Sequence, residues 1–336
     1  RELAEAILKI ISLPLILSGS KIYPAASMGI LIIEPGVQEP ETVLKRAEAA
    51  MYRAKDLGKN RFVIYQQELS PDNSNLLQME TALRKGLEGN EFALYYQPVV
   101  SLETGLVVGF EALVRWLRPG YGLVMPGGFI NFAEETGLIV PLGEWVLTEA
   151  CRQHQRWRAD GHKDLHMAVN VSGYQFEQRK MLAVVARTLR DTGMAATDLN
   201  IEVTESIVMK DIEYSRQVLE DISGLGCNIL IDDFGTGYSS FMYLKRFPFT
   251  ILKIDQFFIN DLETDPESAS IVKAIIAVAH NMKLKVVAEG VENANQLRFL
   301  IDNDCDYIQG FYVSKPVPSE EAELLIGKPV LEVRGQ

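Results

Sequence analysis

Short apolar runs that end in a polar residue recur along this chain, and they constrain its fold more than any other feature. Leu106–Phe110 runs into Glu111, Leu165–Val169 into Asn170, and Leu199–Ile201 into Glu202. Ile229–Ile231 leads to Asp232–Asp233, Ile251–Leu252 to Lys253, Val286–Ala288 to Glu289, and Tyr307–Ile308 to Gln309. Each run is too short for a helix and precedes a stretch of helical period, which predicts buried parallel strands feeding crossover helices. With a further strand over Phe92–Val100 the number reaches eight, which fits a closed α/β barrel better than an open sheet. The carboxyl ends of such strands open onto one face. Five carboxylates, two amides and one ammonium would then converge on a spot suited to metal ions and a polyanion.

Helices are expected over Leu76–Leu87, Gly127–Glu135, Val140–Arg158, Lys180–Arg190, Ser215–Ser223, Ser268–His280 and Asn293–Leu300. Residues 1–66 form a separate block, with helices over Glu2–Ile11 and Glu41–Leu57 (capped at Gly58) and strands over Met28–Ile33 and Phe62–Tyr65. Two strands and two helices bury little core, so the edge of their sheet should be covered by something else. The polar stretch Gln66–Asn75 contains Ser70-Pro71-Asp72-Asn73 and reads as a connector, giving a linker at 67–75 and a barrel over 76–336.

The net charge of -12 over 336 residues argues against affinity for long DNA or RNA, which needs a basic face. A small phosphorylated ligand held through metal ions is compatible with it. Cys151, Cys227 and Cys305 are odd in number and widely spaced, as in reduced, buried thiols of a cytoplasmic protein. No apolar run approaches the roughly 18–20 residues of a membrane span. The sequence begins without Met, inside an expected helix, so it reads as a piece of something longer, with a membrane anchor in the parent left open.

Mg²⁺ or Mn²⁺ favours a few carboxylates plus water and substrate phosphate. Glu111, Glu202, Asp232 and Asp233 supply carboxylates and Asn170 an amide oxygen; adjacent acids can aim at two ions about 4 Å apart, as in two-metal phosphodiester cleavage. The plainer reading of any one strand-end acid is a helix cap or surface group, but their recurrence at one topological position favours a site. Lys253 lies in an apolar run, where an ammonium needs an anionic partner. It is expected to orient a hydroxide or neutralise phosphate, or else to form a structural pair with Asp255 or another acid. Arg115, four residues after Glu111, shares the barrel mouth by strand alternation and suits bidentate phosphate binding. Gln97 is either a base-reading group or an incidental strand-end residue. Phe234-Gly235-Thr236-Gly237-Tyr238-Ser239-Ser240 lacks the Lys and spacing of a P-loop and reads as a mobile loop after two metal ligands. Glu205 is either its tether or a helix-start acid. The four histidines show no metal spacing.

Together these segments resemble the bacterial EAL-domain family of cyclic-di-GMP phosphodiesterases. The resemblance rests on Glu111-Ala112-Leu113-Val114-Arg115-Trp116, Asn170-Val171-Ser172, Ile201-Glu202-Val203-Thr204-Glu205-Ser206 and Ile231-Asp232-Asp233-Phe234-Gly235-Thr236-Gly237. It continues through Leu252-Lys253-Ile254-Asp255, Ala288-Glu289-Gly290-Val291-Glu292 and Gln309-Gly310-Phe311, and spans about 76–326. It implies a TIM-like (β/α)8 barrel with one antiparallel strand, and Mg²⁺- or Mn²⁺-dependent hydrolysis of cyclic-di-GMP to the linear dinucleotide. By the same resemblance Glu111, Asn170, Glu202 and Asp232 hold one ion, and Asp232, Asp233 and Glu289 the second. Lys253 touches the nucleophilic water, Glu205 anchors the glycine loop, and Gln309 supports the site beside Arg115 and Gln97. A homodimer through the barrel is also expected. Phe241 and Asn303-Asp304-Cys305 depart from the family's usual residues without touching this set.

Residues 1–66 resemble the C-terminal part of a GGDEF domain, an α+β fold, at Ser27-Met28-Gly29-Ile30 and Ala47-Glu48-Ala49-Ala50-Met51-Tyr52-Arg53-Ala54-Lys55. The half carrying the Gly-Gly-Asp/Glu-Glu-Phe signature is not in this sequence, so no cyclic-di-GMP synthesis is expected of it. An upstream sensor in the parent is expected. Two rival readings remain: a non-catalytic cyclic-di-GMP receptor, and an unrelated metal-dependent barrel acting on sugar phosphates.

Overall fold

The computed structural model describes residues 2–11, 15–17, 20–22, 26–33, 61–65, 73–235 and 245–331, with isolated helical positions between 43 and 54. They fall into two compact units, Arg1–Lys85 and Gly86–Gln336.

In the first unit, helix Glu2–Ile11 is followed by β1 (Leu15–Leu17) and β2 (Ser20–Ile22), which pair antiparallel. Three-residue strands are too short to show an alternation, so this pair had no sequence signal. Next come β3 (Met28–Ile30) and β4 (Phe62–Ile64), which pair in parallel. The first strand stops at Ile30 rather than Ile33, leaving Ile32 and Ile33 exposed. The helix expected over 41–57, with its cap at Gly58, lies largely outside the described residues. The described Ala50 and Ala54 are fully buried. Helix Asn73–Glu88 begins within the stretch expected as connector.

The second unit is a closed barrel. Its strands are β5 (Phe92–Ser101), β6 (Val107–Arg118), β8 (His166–Asn170), β9 (Leu199–Thr204), β10 (Asn228–Phe234), β11 (Ile251–Ile254), β12 (Lys285–Ala288) and β13 (Tyr307–Ile308). Neighbours run in the order β5-β13-β12-β11-β10-β9-β8-β6, and pairing of β6 with β5 closes the ring. All pairs are parallel except those of β5, which runs antiparallel to both β6 and β13. A ninth strand, β7 (Gly122–Val124), folds back on the end of β6 as a hairpin that the apolar pattern did not announce.

The seven runs are buried on both faces because helices cover the outside, which explains why they read as continuous apolar stretches. Helices Ile139–Ala159, Met181–Thr192, Ile212–Gly224, Pro266–Asn281 and Ala294–Asp302 form that cover. The helix expected over Gly127–Glu135 is split: Pro126–Gly128 forms a 3₁₀ turn and the α-helix begins only at Ile130. Two glycines after a proline resist the α conformation. Short helices at Gly173–Glu177, Glu205–Lys210 and Gln256–Asn260 directly follow β8, β9 and β11. Among the described residues no helix is long and apolar enough to cross a membrane.

Register fixes what faces the barrel interior. Glu111 pairs with Ala168, Asn170 with Glu202, Glu202 with Leu230, and Lys253 with Val287. Because side chains alternate with period two, these share the inward face, and the polar ones gather at the carboxyl ends. Gly109, one layer below Glu111, is needed for closure: a Cβ there would lie 2.6 Å from the His166 carbonyl oxygen.

Candidate active site

Lys253, on β11, is 1% exposed and its ammonium is ringed by carboxylates. Its Nζ lies 2.6 Å from Glu289 Oε1, 2.9 Å from Glu202 Oε2, 3.4 Å from Glu111 Oε2 and 3.5 Å from Asp232 Oδ1. Burial would lower its pKa, but these four acids outweigh burial and push it well up. The pairing with Asp255 weighed from the sequence does not form. Asp255 instead caps helix Gln256–Asn260, accepting the Phe257 N–H, and bonds the Asp233 side chain.

Glu111, on β6, is the most fully satisfied of the acids. Its Oε1 accepts from Asn170 Nδ2, and its Oε2 accepts from Gln309 Nε2 at 2.6 Å. Burial would raise its pKa, yet Lys253 and these donors keep it below the ordinary carboxylate value. Glu202 lacks such donors: burial drives its pKa well up, only partly countered by Lys253. Glu289 is likewise raised, by burial first and then by Asp232 and Glu111, against the pull of Lys253.

Asp232 and Asp233 are adjacent, and in a regular strand they would point to opposite faces. Here the pairing of β10 with β11 slips between Ile231 and Phe234, and Asp233 adopts a left-handed φ of 54°. The bulge turns both carboxylates the same way. Oxygens of Asp232, Asp233 and Glu289 consequently lie within 4.8 Å of one another. Burial and the Asp232 charge raise Asp233 to about 6. These are hard oxygen donors in the number and spacing that a divalent cation takes, with more negative charge than one ammonium balances. The residues fit a metal.

Gln97, weighed as an exposed strand-end residue, is neither. It is buried in the middle of β5, directly opposite Glu111, and its Oε1 accepts from Gln309 Nε2 at 3.1 Å. Arg115 is buried, with its guanidinium 5.5 Å from the Tyr95 ring centroid. Together with Gln97, Glu111, Asn170, Asp232, Glu289 and Gln309 it lines a cavity of about 650 Å³. Glu205 is buried below the end of β10, and its Oε2 accepts the Gly235 N–H at 3.4 Å. The loop from Thr236 onward lies outside the described residues, as does the departure at Phe241. The three cysteines are free and buried. His154 faces the Leu165 carbonyl and His280 pairs with Asp306; neither lines the cavity.

Several lining residues escaped the sequence reading. Leu123, Met125 and Phe311 form an apolar rim, and Glu292 joins the wall. Phe311 and Glu292 had a signal, since both stand within three residues of a site residue. Leu123 and Met125 had none, because they arrive with the unannounced β7 hairpin.

Residues 80–316 match the EAL domain model, and residues 1–61 match that of the diguanylate cyclase GGDEF domain. The chain is 43% identical over 319 residues to the bifunctional diguanylate cyclase/cyclic di-GMP phosphodiesterase MucR of Pseudomonas aeruginosa, covering 95% of this chain and 47% of that protein. It is 38% identical to the cyclic di-GMP phosphodiesterase PdeR of Escherichia coli, covering 94% of this chain and 48% of that one. The chain therefore spans about half the length of these curated relatives. Among solved structures, the PaMucR phosphodiesterase in complex with c-di-GMP superimposes with a TM-score of 0.71 at 46% identity. That match covers 73% of this chain and 99% of that one. The FimX EAL domain from Pseudomonas aeruginosa bound to c-di-GMP gives 0.65 at 27% identity, covering 71% and 96%.

Proposed function

The chain belongs to the EAL-domain family, and from that premise we propose that its barrel hydrolyses one phosphodiester bond of cyclic-di-GMP to give linear pGpG. The observation that carries this reading is the ring of four carboxylates around one buried ammonium, with Asp233 as a fifth acid beside Asp232 and Glu289, next to a cavity lined by Glu111, Asp232, Glu289 and Arg115. With all five acids ionised against one ammonium the cluster would carry about −4, which two divalent cations would cancel.

Glu111, Asn170, Glu202 and Asp232 would hold one Mg²⁺ or Mn²⁺ ion, and Asp232, Asp233 and Glu289 the other. Bound there, the ions would polarise the phosphate and make a water acidic enough to serve as the nucleophile. Lys253 keeps its proton among the acids and so donates, orienting the attacking oxygen from below. The Arg115 guanidinium would grip phosphate oxygens in a fork. Gln309 holds Glu111 in place, braced by Gln97 across the β5–β6 pair. Glu205 steadies the start of the glycine loop through the Gly235 N–H. The apolar rim of Leu123, Met125 and Phe311 suits a flat heteroaromatic base.

The test is incubation with cyclic-di-GMP and Mg²⁺ or Mn²⁺, with the products resolved by chromatography. Metal-dependent pGpG that disappears in Glu111→Ala is the expected result. Tight binding without turnover at saturating Mn²⁺ would instead mark a receptor. Action in the cytoplasm, as a homodimer, and under an upstream sensor belongs to the same reading; sedimentation showing a fully active monomer would remove the dimer from it.

A further inference from the structure

Asn170 leaves β8 on a turn that one side chain, Gln175, helps to close. The Val171 N–H donates to the Glu202 carbonyl at 2.9 Å, pinning the strand end. Ser172 then caps helix Gly173–Glu177 reciprocally: the Gln175 N–H donates to Ser172 Oγ, and the Ser172 N–H donates to Gln175 Oε1, each at 3.2 Å. Beside this turn lies open space, a cavity of about 480 Å³ lined by Leu113, Ile139, Val146, Asn170, Ser172 and Gln175. On the cavity side the turn has no packed neighbour, so there the reciprocal cap resists a shift, while the Val171 bond holds the strand end on the other.

The Gln175 amide is itself held from a different helix. It rests on Gly143 of Ile139–Ala159, where a Cβ would lie 1.9 Å from Gln175 Nε2 and 2.4 Å from its Cδ. Any side chain at position 143 must push that amide away. We infer that Gln175, seated on Gly143, is a positioning residue for Asn170, setting the turn so that the Asn170 amide meets Glu111 at the rim. The inference rests on Asn170 being a metal ligand, as proposed above.

Two substitutions on separate elements should produce one defect. Gln175→Ala removes the acceptor of the Ser172 N–H; Gly143→Ala keeps Gln175 but displaces it. Gln175→Glu preserves an acceptor oxygen at the same place in the cap, so it should restore the geometry. The measurement is Mn²⁺ titration of the full chain, followed by the electron paramagnetic resonance of free Mn²⁺, with metal-free melting temperature recorded alongside. Gln175→Ala and Gly143→Ala should each bind Mn²⁺ about 10-fold more weakly, the low end for residues supporting a metal ligand, and Gln175→Glu should stay near the parent. Gly143→Ala also relieves a helix-interior glycine, so weaker Mn²⁺ binding without a lower melting temperature would separate positioning from a general loss of stability. Parent-like Mn²⁺ affinity in both Gln175→Ala and Gly143→Ala overturns this inference alone, as does a Gln175→Glu protein as impaired as Gln175→Ala. A parent protein that binds no Mn²⁺ overturns the metal reading and this inference with it.

Discussion

Gln309 Nε2 donates to Glu111 Oε2 at 2.6 Å across 198 positions of sequence, and the same nitrogen reaches Gln97 Oε1 at 3.1 Å. The bond joins β13 to β6 over the reversed β5 that separates them, so the one antiparallel strand supplies the brace for a candidate metal ligand. Gln309→Leu should remove that brace while filling similar space. Hydrolysis of cyclic-di-GMP is expected to fall about 10-fold or more with an unchanged circular dichroism spectrum; a parent-like rate would remove Gln309 from the site.

Lys253→Met leaves four carboxylates facing one another without a cation. Loss of one partner in a buried ionic cluster costs about 3–5 kcal/mol, so the metal-free variant should unfold at markedly lower denaturant. Millimolar Mn²⁺ should recover part of that loss, because the ions replace the missing charge. Equal midpoints with and without Mn²⁺ would contradict this account.

Chelation of the unsubstituted protein gives a complementary expectation. A ligand that binds only the folded state stabilises it, by about 2.7 kcal/mol at 100 times its dissociation constant. The melting temperature should therefore rise with Mn²⁺ and return to its lower value with EDTA, whereas Asp232→Ala, which removes a ligand shared between the two proposed ions, should lose most of the rise.

Asp306 sits at the opposite end of the barrel from the site. It pairs with Lys285 Nζ at 2.6 Å and His280 Nε2 at 2.8 Å, and accepts the Val286 N–H at 3.0 Å. Burial would raise its pKa, but these donors overcome burial and hold it below the ordinary 3.8. A depressed folded-state pKa contributes stability that is fully present above the unfolded value and is lost as pH falls through the folded one. Asp306→Asn should thus destabilise by about 2 kcal/mol at pH 7, with the gap to the parent shrinking below pH 3.8 in denaturant titrations.

Gly109→Ala tests barrel closure. Its Cβ would press on the His166 carbonyl of β8 at 2.6 Å, backbone that cannot swing aside. Overpacking of this kind costs about 1–3 kcal/mol, read as a lower thermal midpoint; an unchanged midpoint would show that β6 and β8 separate freely.

The barrel strands were legible because burial on both faces demands unbroken apolar residues, and the polar terminators lie within two residues of a carboxyl end, except Glu111, past which β6 runs on to Arg118. Lys253 was legible for the same reason: an ammonium inside an apolar run has few explanations. Gln97 was not, since nothing in Phe92–Ser101 tells whether the strand runs up or down, and only its antiparallel pairing sets it opposite Glu111. The β7 hairpin and its rim residues were hidden by exposed side chains that carry no periodic signal.

Asp232 and Asp233 divide the two kinds of information most clearly. The sequence by itself determined that carboxylates end the strands, because composition and periodicity are local properties that any neighbouring segment must accommodate. That both of these adjacent acids face inward was decided by the slipped register between β10 and β11 and the left-handed φ at Asp233. The direction of β5, the partners of Lys253 and the Gly143 seat beneath Gln175 were decided in the same way. Each depends on where a distant strand or helix comes to rest, and no window of local sequence contains that distance.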